Sequence, residues 1–483
     1  MTTTTVPSAF TRGTTGQLAT IECELVRRLP SMVIVGMPAG QVRETAERVR
    51  SAIVEADLEF PRKRVVVNAA PTDMVKRTTG LDLPIAVAVL AASGQMDVPE
   101  STAFIGELSL DGNVHPVRGI IAMVKALAEA GIKRVVVPFS NRHEAALVDG
   151  IEVRAVLDLE DVVEGRDAPT LPPAAPAPTH DLDLSEVRGQ HRAKRALEIA
   201  VAGGLSVLFI GNPGAGKTML AARTPSILPP MTRDEALEVA TIHDATGLHA
   251  TGSGLPTRRP FRAPHHAVSA AGMVGSAAFR PGEVTLAHNG VLFLDDVTEF
   301  SRSVIECMRR AHQDKAVTTT RASGSTTMPA DFMLVGACNP CPCGYLGSAT
   351  RQCTCPSVVV ERYQQRIPRD LFDVVVWLHT PTPEDVLEAP KGEPSADVQA
   401  RVVAARERGT LAATLEGDEL VEQARPSDEA RACLARIMGA YGLSGRAHGR
   451  ILRRGYAIAR LDGAAHVEGQ HLLEAAAFRS VIV

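Results

Sequence analysis

The sequence predicts an α/β protein in three parts: a small α/β unit, a parallel sheet between helices that carries a phosphate loop, and a helical C-terminal region. Three observations predict it. The apolar run 205–210 enters Gly211-Asn212-Pro213-Gly214-Ala215-Gly216-Lys217-Thr218 and leaves through the helical stretch Met219-Leu220-Ala221-Ala222-Arg223, the strand–loop–helix order of a phosphate loop. A second apolar run, 290–294, ends in Asp295-Asp296. Strand-like and helical runs alternate up to about residue 165, whereas residues 384–483 carry helical periodicity.

The loop fits G-x-x-x-x-G-K-[ST]. Glycines without a Cβ let backbone N–H groups wrap a triphosphate, Lys217 reaches the β- and γ-phosphates, and Thr218 offers a hydroxyl to Mg²⁺. A following helix N-terminus favours anions. Asp295 is expected to hold the metal through water, and Asp296 stands where such enzymes usually place a glutamate that polarises the attacking water. An aspartate there is one methylene shorter, so ATP binding is expected more firmly than fast hydrolysis.

With 483 residues the chain is long enough for two or three domains. A net charge of −4 gives no global basic excess, so any nucleic-acid contact has to come from local patches. The longest nearly unbroken apolar run, 83–92, is too short to span a bilayer, and the Thr-rich N-terminus lacks a secretory pattern; a cytosolic protein away from membranes is expected. Four of the eight cysteines crowd together, which in a reducing compartment suggests metal before disulfide.

Along residues 1–165, strands are expected at 32–35, 65–67 and 134–137 and helices at 42–56 and 119–130. Ile34-Val35-Gly36-Met37-Pro38, Val67-Asn68-Ala69-Ala70-Pro71, Asp82-Leu83-Pro84-Ile85-Ala86 and Gly106-Glu107-Leu108-Ser109-Leu110-Asp111-Gly112 resemble the domain that the ComM/YifB family of magnesium-chelatase-like proteins shares with Lon peptidase. Lon-like peptidases use a serine and a lysine; alignment puts Asp82 and Met123 at those places. A carboxylate facing a thioether makes no activated nucleophile, so a scaffold or docking role is expected.

Residues 166–184, rich in Pro and Ala, read as a linker. Val187-Arg188-Gly189-Gln190 and the helical run 191–202 resemble the segment that packs on adenine in AAA+ ATPases, which gives Val187, Gly189 and Gln190 to the nucleotide site. An insertion follows at 258–283. Arg262 and His265 could line a ring pore or approach a neighbouring nucleotide, or His265 and His266 could fix a loop by hydrogen bonds; their spacing is not that of a helical metal pair. A helix at 301–312 and β-structure at 317–321 and 328–335 around a turn at 323–325 are expected. Arg321 at that tip is a DNA contact or a solvated arginine.

The strand 332–337 leads to Asn339, which in AAA+ proteins corresponds to sensor 1, between the metal-site carboxylates and the γ-phosphate. Ala337-Cys338-Asn339-Pro340-Cys341-Pro342-Cys343-Gly344-Tyr345 is the string most specific to the family, and true magnesium-chelatase subunits lack its cysteines. Cys341-x-Cys343 and Cys353-x-Cys355 suit tetrahedral Zn²⁺, with reduced thiols or a redox-labile pair as the alternative. Where the family carries its arginine finger, this chain aligns Leu371; Arg366 or Arg369 would have to substitute. In the lid, with helix starts near 426–427 and 447 and a stop near 462–463, Arg446 aligns with sensor 2.

The resemblance runs from about residue 21 to the C-terminus. It implies a Lon-like α/β domain at 1–165, an AAA+ ATPase core at 185–383 and a helical lid at 384–483. It further implies ATP and Mg²⁺ bound between subunits of a homo-oligomeric ring, most simply a hexamer, that moves DNA without sequence preference, including branch migration during recombination of incoming strands. Aromatic stacking platforms for DNA are scarce, with one tryptophan and four tyrosines. Two rival readings stay open, a metal-inserting chelatase motor and a ring that uses ATP as a structural ligand.

Overall fold

The structure is a computed structural model that describes residues 3–71, 80–169, 182–250, 252–276, 279–321, 324–349, 351–381, 390–442 and 445–478. It opens with a long antiparallel hairpin, β1 (Thr4–Arg12) and β2 (Thr15–Val26), turned at Gly13 with φ +65°. Sequence reading did not single these strands out. Then come β3 (Ser31–Val35) and β4 (Arg64–Ala70), and the sheet order is β1-β2-β4-β3. The expected helices are present as Ala39–Glu55 and Ile120–Glu129. The apolar run 83–92 is part of the helix Asp82–Ala92, buried from Asp82 through Leu90, which accounts for its lack of polar positions. Among the described residues no helix is long and apolar enough to cross a membrane.

Short β5 (Thr102–Phe104), β6 (Glu107–Leu108) and β7 (Val114–His115) precede β8 (Arg134–Pro138) and β9 (Glu152–Val156); β5, β8 and β9 form a parallel sheet. Asp82 is fully buried and pairs with Arg48, Nε to Oδ2 at 2.7 Å and a second guanidinium N to Oδ1 at 3.2 Å, while the Leu108 amide also donates to it. Burial pushes the Asp82 carboxyl up and Arg48 pulls it down, with burial the larger cause. Met123 lies in an apolar cluster with Ile120, Ile121 and Val124. Neither position offers a nucleophile or a base.

The expected linker falls mostly on 170–181, outside the described residues. Its last two positions, however, belong to the next core: Leu184 is 1% exposed, and Asp183 caps the turn Leu184–Glu186 and accepts from the Ser395 amide. A five-stranded parallel sheet follows, built from β10 (Val207–Gly211), β11 (Phe261–Arg262), β12 (Val291–Leu294), the later strand β15 and the last strand β16. Between β12 and β15 (Met333–Cys338) the chain makes the helix Arg302–Asp314 and a hairpin, β13 (Ala316–Arg321) with β14 (Gly324–Pro329). The β-structure expected at 328–335 is the end of β14 and the start of β15, separated by Ala330-Asp331-Phe332 after Pro329, which lacks a ladder donor. With β16 (Val374–Leu378) the order becomes β11-β12-β15-β10-β16. Parallel strands covered on both faces read as unbroken apolar runs, as β10, β12 and β15 do.

The lid helices Ser395–Glu407, Gly417–Ala424, Asp428–Tyr441, Gly445–Leu461 and Gly469–Ala477 share one hydrophobic cluster with β10 and β16; the expected start near 447 falls two residues earlier. Three arginines of this region are held by backbone carbonyls. Arg453 donates to the Leu415 carbonyl at 2.8 Å, Arg450 to that of Asp370 at 2.6 Å, and Arg454, 3% exposed, to that of Asp373. The N-terminal unit is docked through the helix Arg233–Thr246: buried Asp244 accepts from the Ile121 amide at 2.9 Å, and Ala240 joins the cluster around Ile120–Val124.

Replacing Asp82 by Ala strands the Arg48 guanidinium in a part-buried setting, and is expected to destabilise the N-terminal unit by about 3 kcal/mol. Denaturant unfolding followed by a probe in that unit checks this; an unchanged midpoint contradicts it.

Candidate nucleotide-binding site

The site forms where β10 ends between β15 and β16. Gly211 is packed so tightly that a Cβ would lie 2.9 Å from the Leu378 carbonyl oxygen, while Gly214 (φ +80°) and Gly216 (φ +88°) face open space with no atom within 4 Å of a would-be Cβ. The first glycine closes the loop on the sheet, and the other two keep room for a bulky anion. The helix Lys217–Ile227 begins at once.

Lys217 is 9% exposed, and its Nζ donates to the carbonyls of Gly211 (2.7 Å) and Asn212 (3.2 Å) and to Asn339 Oδ1 (3.0 Å). Burial holds this ammonium below the ordinary lysine range, against the pull of Asp296 and Asp295. Thr218 Oγ1 donates to Asp295 Oδ2 at 3.1 Å, so the two expected magnesium partners already touch. Asp296 has φ +51° at the strand end, and Asn339 Nδ2 reaches its Oδ1 at 3.5 Å. Burial, then the like charge of Asp295, raises the Asp296 carboxyl above its usual range. The structure therefore brings Lys217, Thr218, Asp295, Asp296 and Asn339 into one hydrogen-bonded chain.

On the other side of the loop, Gln190 (φ +52°) follows Gly189 (φ +61°), and its amide donates to the Ala215 carbonyl at 3.0 Å and the His379 carbonyl at 2.6 Å. Val187 is buried and its carbonyl accepts from Lys194. Asn212 is buried and its side-chain amide donates to the Gly344 carbonyl at 2.5 Å and the Leu346 carbonyl at 3.3 Å. No sequence signal announces this contact, because its partners lie 132 and 134 residues away.

Around Gly344 the four thiols gather. The Sγ atoms of Cys341, Cys343, Cys353 and Cys355 all lie within 4.8 Å of one another, with 3.4 Å between Cys341 and Cys343 and 3.5 Å between Cys343 and Cys353. Tetrahedral zinc thiolate, with Zn–S about 2.3 Å, needs sulfurs about 3.8 Å apart. The donor set fits such an ion. Backbone N–H groups lower the Cys343 thiol to about 6, whereas burial pushes Cys341 up to about 12.

The residues expected to act beyond their own subunit are placed differently. Arg262 makes a bidentate pair with Glu283, at 2.7 and 2.9 Å, within its own chain. His265 accepts from the Ala267 amide at 3.2 Å and stacks on His266, centroids 4.0 Å apart, which is the loop-fixing arrangement. Arg366 donates to the Thr298 carbonyl at 2.5 Å but stays exposed. Arg369 is half-buried with a sealed, unpartnered Nε, and burial lowers its guanidinium. Leu371, at the finger's position, is 7% exposed within the core. The side chains of Arg321 and Arg446 lie outside the described residues; the first ends β13 and the second is in the helix Gly445–Leu461.

A parallel sheet with this loop, two strand-end aspartates and an asparagine at the end of the neighbouring strand, completed by a helical lid, has the architecture of an AAA+ ATPase. Family models agree along the chain: magnesium chelatase subunit ChlI over 183–385, subunit ChlI of Mg-chelatase over 21–141, and the ChlI C-terminal model over 392–479. The chain is 36% identical to competence protein ComM of Haemophilus influenzae, covering 99% of this chain and 97% of that one, and 36% identical to the uncharacterized protein YifB of Escherichia coli, covering 96% and 94%. It belongs to the ComM/YifB family. Similarity to Lon protease 2 of Bacillus subtilis, 32% over 83 residues, covers 17% of this chain.

Triphosphate oxygens favour the charged form of Lys217, whose free-state affinity for protons is depressed. Nucleotide binding at alkaline pH is therefore expected to take up protons, and affinity to fall as pH rises toward the ordinary lysine value. Calorimetry in buffers of different ionisation enthalpy measures this, and Lys217→Ala should lose both the uptake and at least about tenfold in affinity. Proton release at alkaline pH would contradict it.

Proposed function

We propose that this ATPase binds Mg·ATP at the site built on Lys217 and uses its hydrolysis to drive sequence-independent movement of DNA, including branch migration of recombining strands. The observation that carries the nucleotide half is the continuous link from Lys217 through Asn339 to Asp296, with Thr218 against Asp295. Lys217 neutralises the β- and γ-phosphates. Thr218 and Asp295 would hold Mg²⁺, which would supply charge neutralisation to the phosphates when bound. Asp296 and Asn339 orient the attacking water, Arg446 closes from the lid, and the Val187–Gln190 segment covers the adenine. The four cysteines would hold Zn²⁺ in a structural role, since four protein ligands would leave no open position.

ATP at a subunit boundary implies a ring, with six copies as the expected count, and a chain divided into 1–165, 185–383 and 384–483. For the DNA half, support comes from the family and from a relative that is named a competence protein. Arg366, the more exposed of the two arginines flanking the finger position, is the candidate we favour for reaching a neighbour's nucleotide, with Arg321 for DNA. A second reading, a ring that holds ATP with slow turnover, is favoured by one observation: the finger position is a core leucine.

Turnover measured with and without forked DNA separates the two. The translocase reading expects DNA to stimulate hydrolysis and DNA affinity to fall at least about a hundredfold between 50 and 200 mM salt. Tight ATP binding with no turnover under any condition supports the structural ring instead. Arg366→Ala is expected to cut ring-dependent turnover about a thousandfold while leaving ATP binding intact; unchanged turnover removes it as the finger.

A further inference from the structure

We propose that Asn212 couples the four-cysteine loop to the phosphate loop, so that a zinc-class cation and Mg·ATP bind cooperatively to this chain. The inference rests on the two sites read as above and adds a relation between them.

The stretch between β15 and the helix Ser357–Gln365 contains no regular element among its described residues. Its shape is set by the thiol cluster and a few backbone bonds: the Gly344 amide donates to the Cys341 carbonyl at 2.9 Å, and the Leu346 amide to Cys341 Sγ at 3.3 Å. Gly344 and Leu346 are the residues whose carbonyls hold Asn212. Gly344 takes φ +83°, and a Cβ there would lie 2.8 Å from Pro213 Cδ, so the cysteine loop rests directly on the second and third residues of the phosphate loop.

Asn212 is 7% exposed and engaged on every side. Its carboxamide oxygen accepts from Thr380 Oγ1 at 3.4 Å, beyond β16, and its backbone carbonyl accepts from Lys217 Nζ and from the Ala215 amide, both at 3.2 Å. One residue thus reads the cysteine loop with its side chain and positions the phosphate-binding lysine with its main chain. The same loop starts two residues after Asn339, whose side chain is a further partner of Lys217. Without a shared cation nothing ties the four sulfurs to one centre, and a loop with no regular element of its own is then free to spread. Spreading withdraws the Gly344 and Leu346 carbonyls, leaves a buried amide unpaired and lets the phosphate loop lose its anion-ready shape.

Coupling of this kind is reciprocal. Removing the cation with a zinc-selective chelator, and then restoring Mg²⁺, is expected to weaken Mg·ATP binding about tenfold by calorimetry; saturating Mg·ATP is expected to tighten zinc by the same factor in a competition with a metal-responsive dye. In Asn212→Ala both factors should shrink toward one, and Asn212→Asp, which keeps the shape but presents a carboxylate to two carbonyls, should behave alike.

The outcomes are distinct. Less than half an equivalent of zinc in protein purified with zinc supplied overturns the metal site and the coupling with it. No heat with Mg·ATP in zinc-loaded protein overturns the nucleotide site. Both ligands bound, each indifferent to the other in the unmodified chain, overturns the coupling alone. Full coupling in a folded Asn212 variant overturns the route through that residue.

Discussion

A lysine ammonium has to be kept charged in a nearly closed cleft, and the surrounding structure can be understood from that constraint. Lys217 cannot be solvated where it lies, so three oxygens take the place of water: two carbonyls of its own loop and the amide oxygen of Asn339. Desolvation costs more than these weak acceptors and two aspartates return, which is why the group is held below its normal basicity. A polyphosphate is the partner that reverses the balance, and the open space over Gly214 and Gly216 is where one fits.

The same constraint explains the sheet order. β10 lies between β15 and β16, so the lysine's loop, the asparagine after β15 and the turn after β16 emerge side by side at the carboxyl ends of parallel strands, with β12 delivering the two aspartates one strand further out. The N-terminal unit has a different physical character. Asp82, the position that aligns with the Lon serine, is held in an ion pair with the part-buried Arg48, and the unit's docking onto the helix Arg233–Thr246 joins it to the ATPase core.

Local patterns were legible wherever the backbone itself carries the chemistry. The phosphate loop, the aspartates after β12, the position of Asn339 and the cysteine spacing all appear as contiguous strings, because a turn of a few residues fixes their relative geometry. The hairpin of β1 and β2 was missed: its strands mix threonine with scattered apolar residues, and only pairing with β4 and burial under helices reveals the alternation. The arginines were read least well. Arg262, Arg450, Arg453 and Arg454 look basic and available in sequence, yet each is committed to a carboxylate or carbonyl supplied from elsewhere in the chain. Arginine has a long reach and five donors, so its partner is decided by what the fold brings within range.

By itself the sequence determined that a phosphate loop opens a helix after a buried strand, that two carboxylates end another strand, and that four thiols are close enough along the chain to share one ion. Tertiary structure alone decided that Leu371 is core, that Arg369 has a buried, unpartnered Nε, and that the cysteine loop lies on Asn212 and Pro213. The physical reason is separation: the first group depends on neighbours within about one turn of chain, whose geometry covalent connectivity limits. The second depends on residues more than a hundred positions apart, which only the stacking of parallel strands brings into contact.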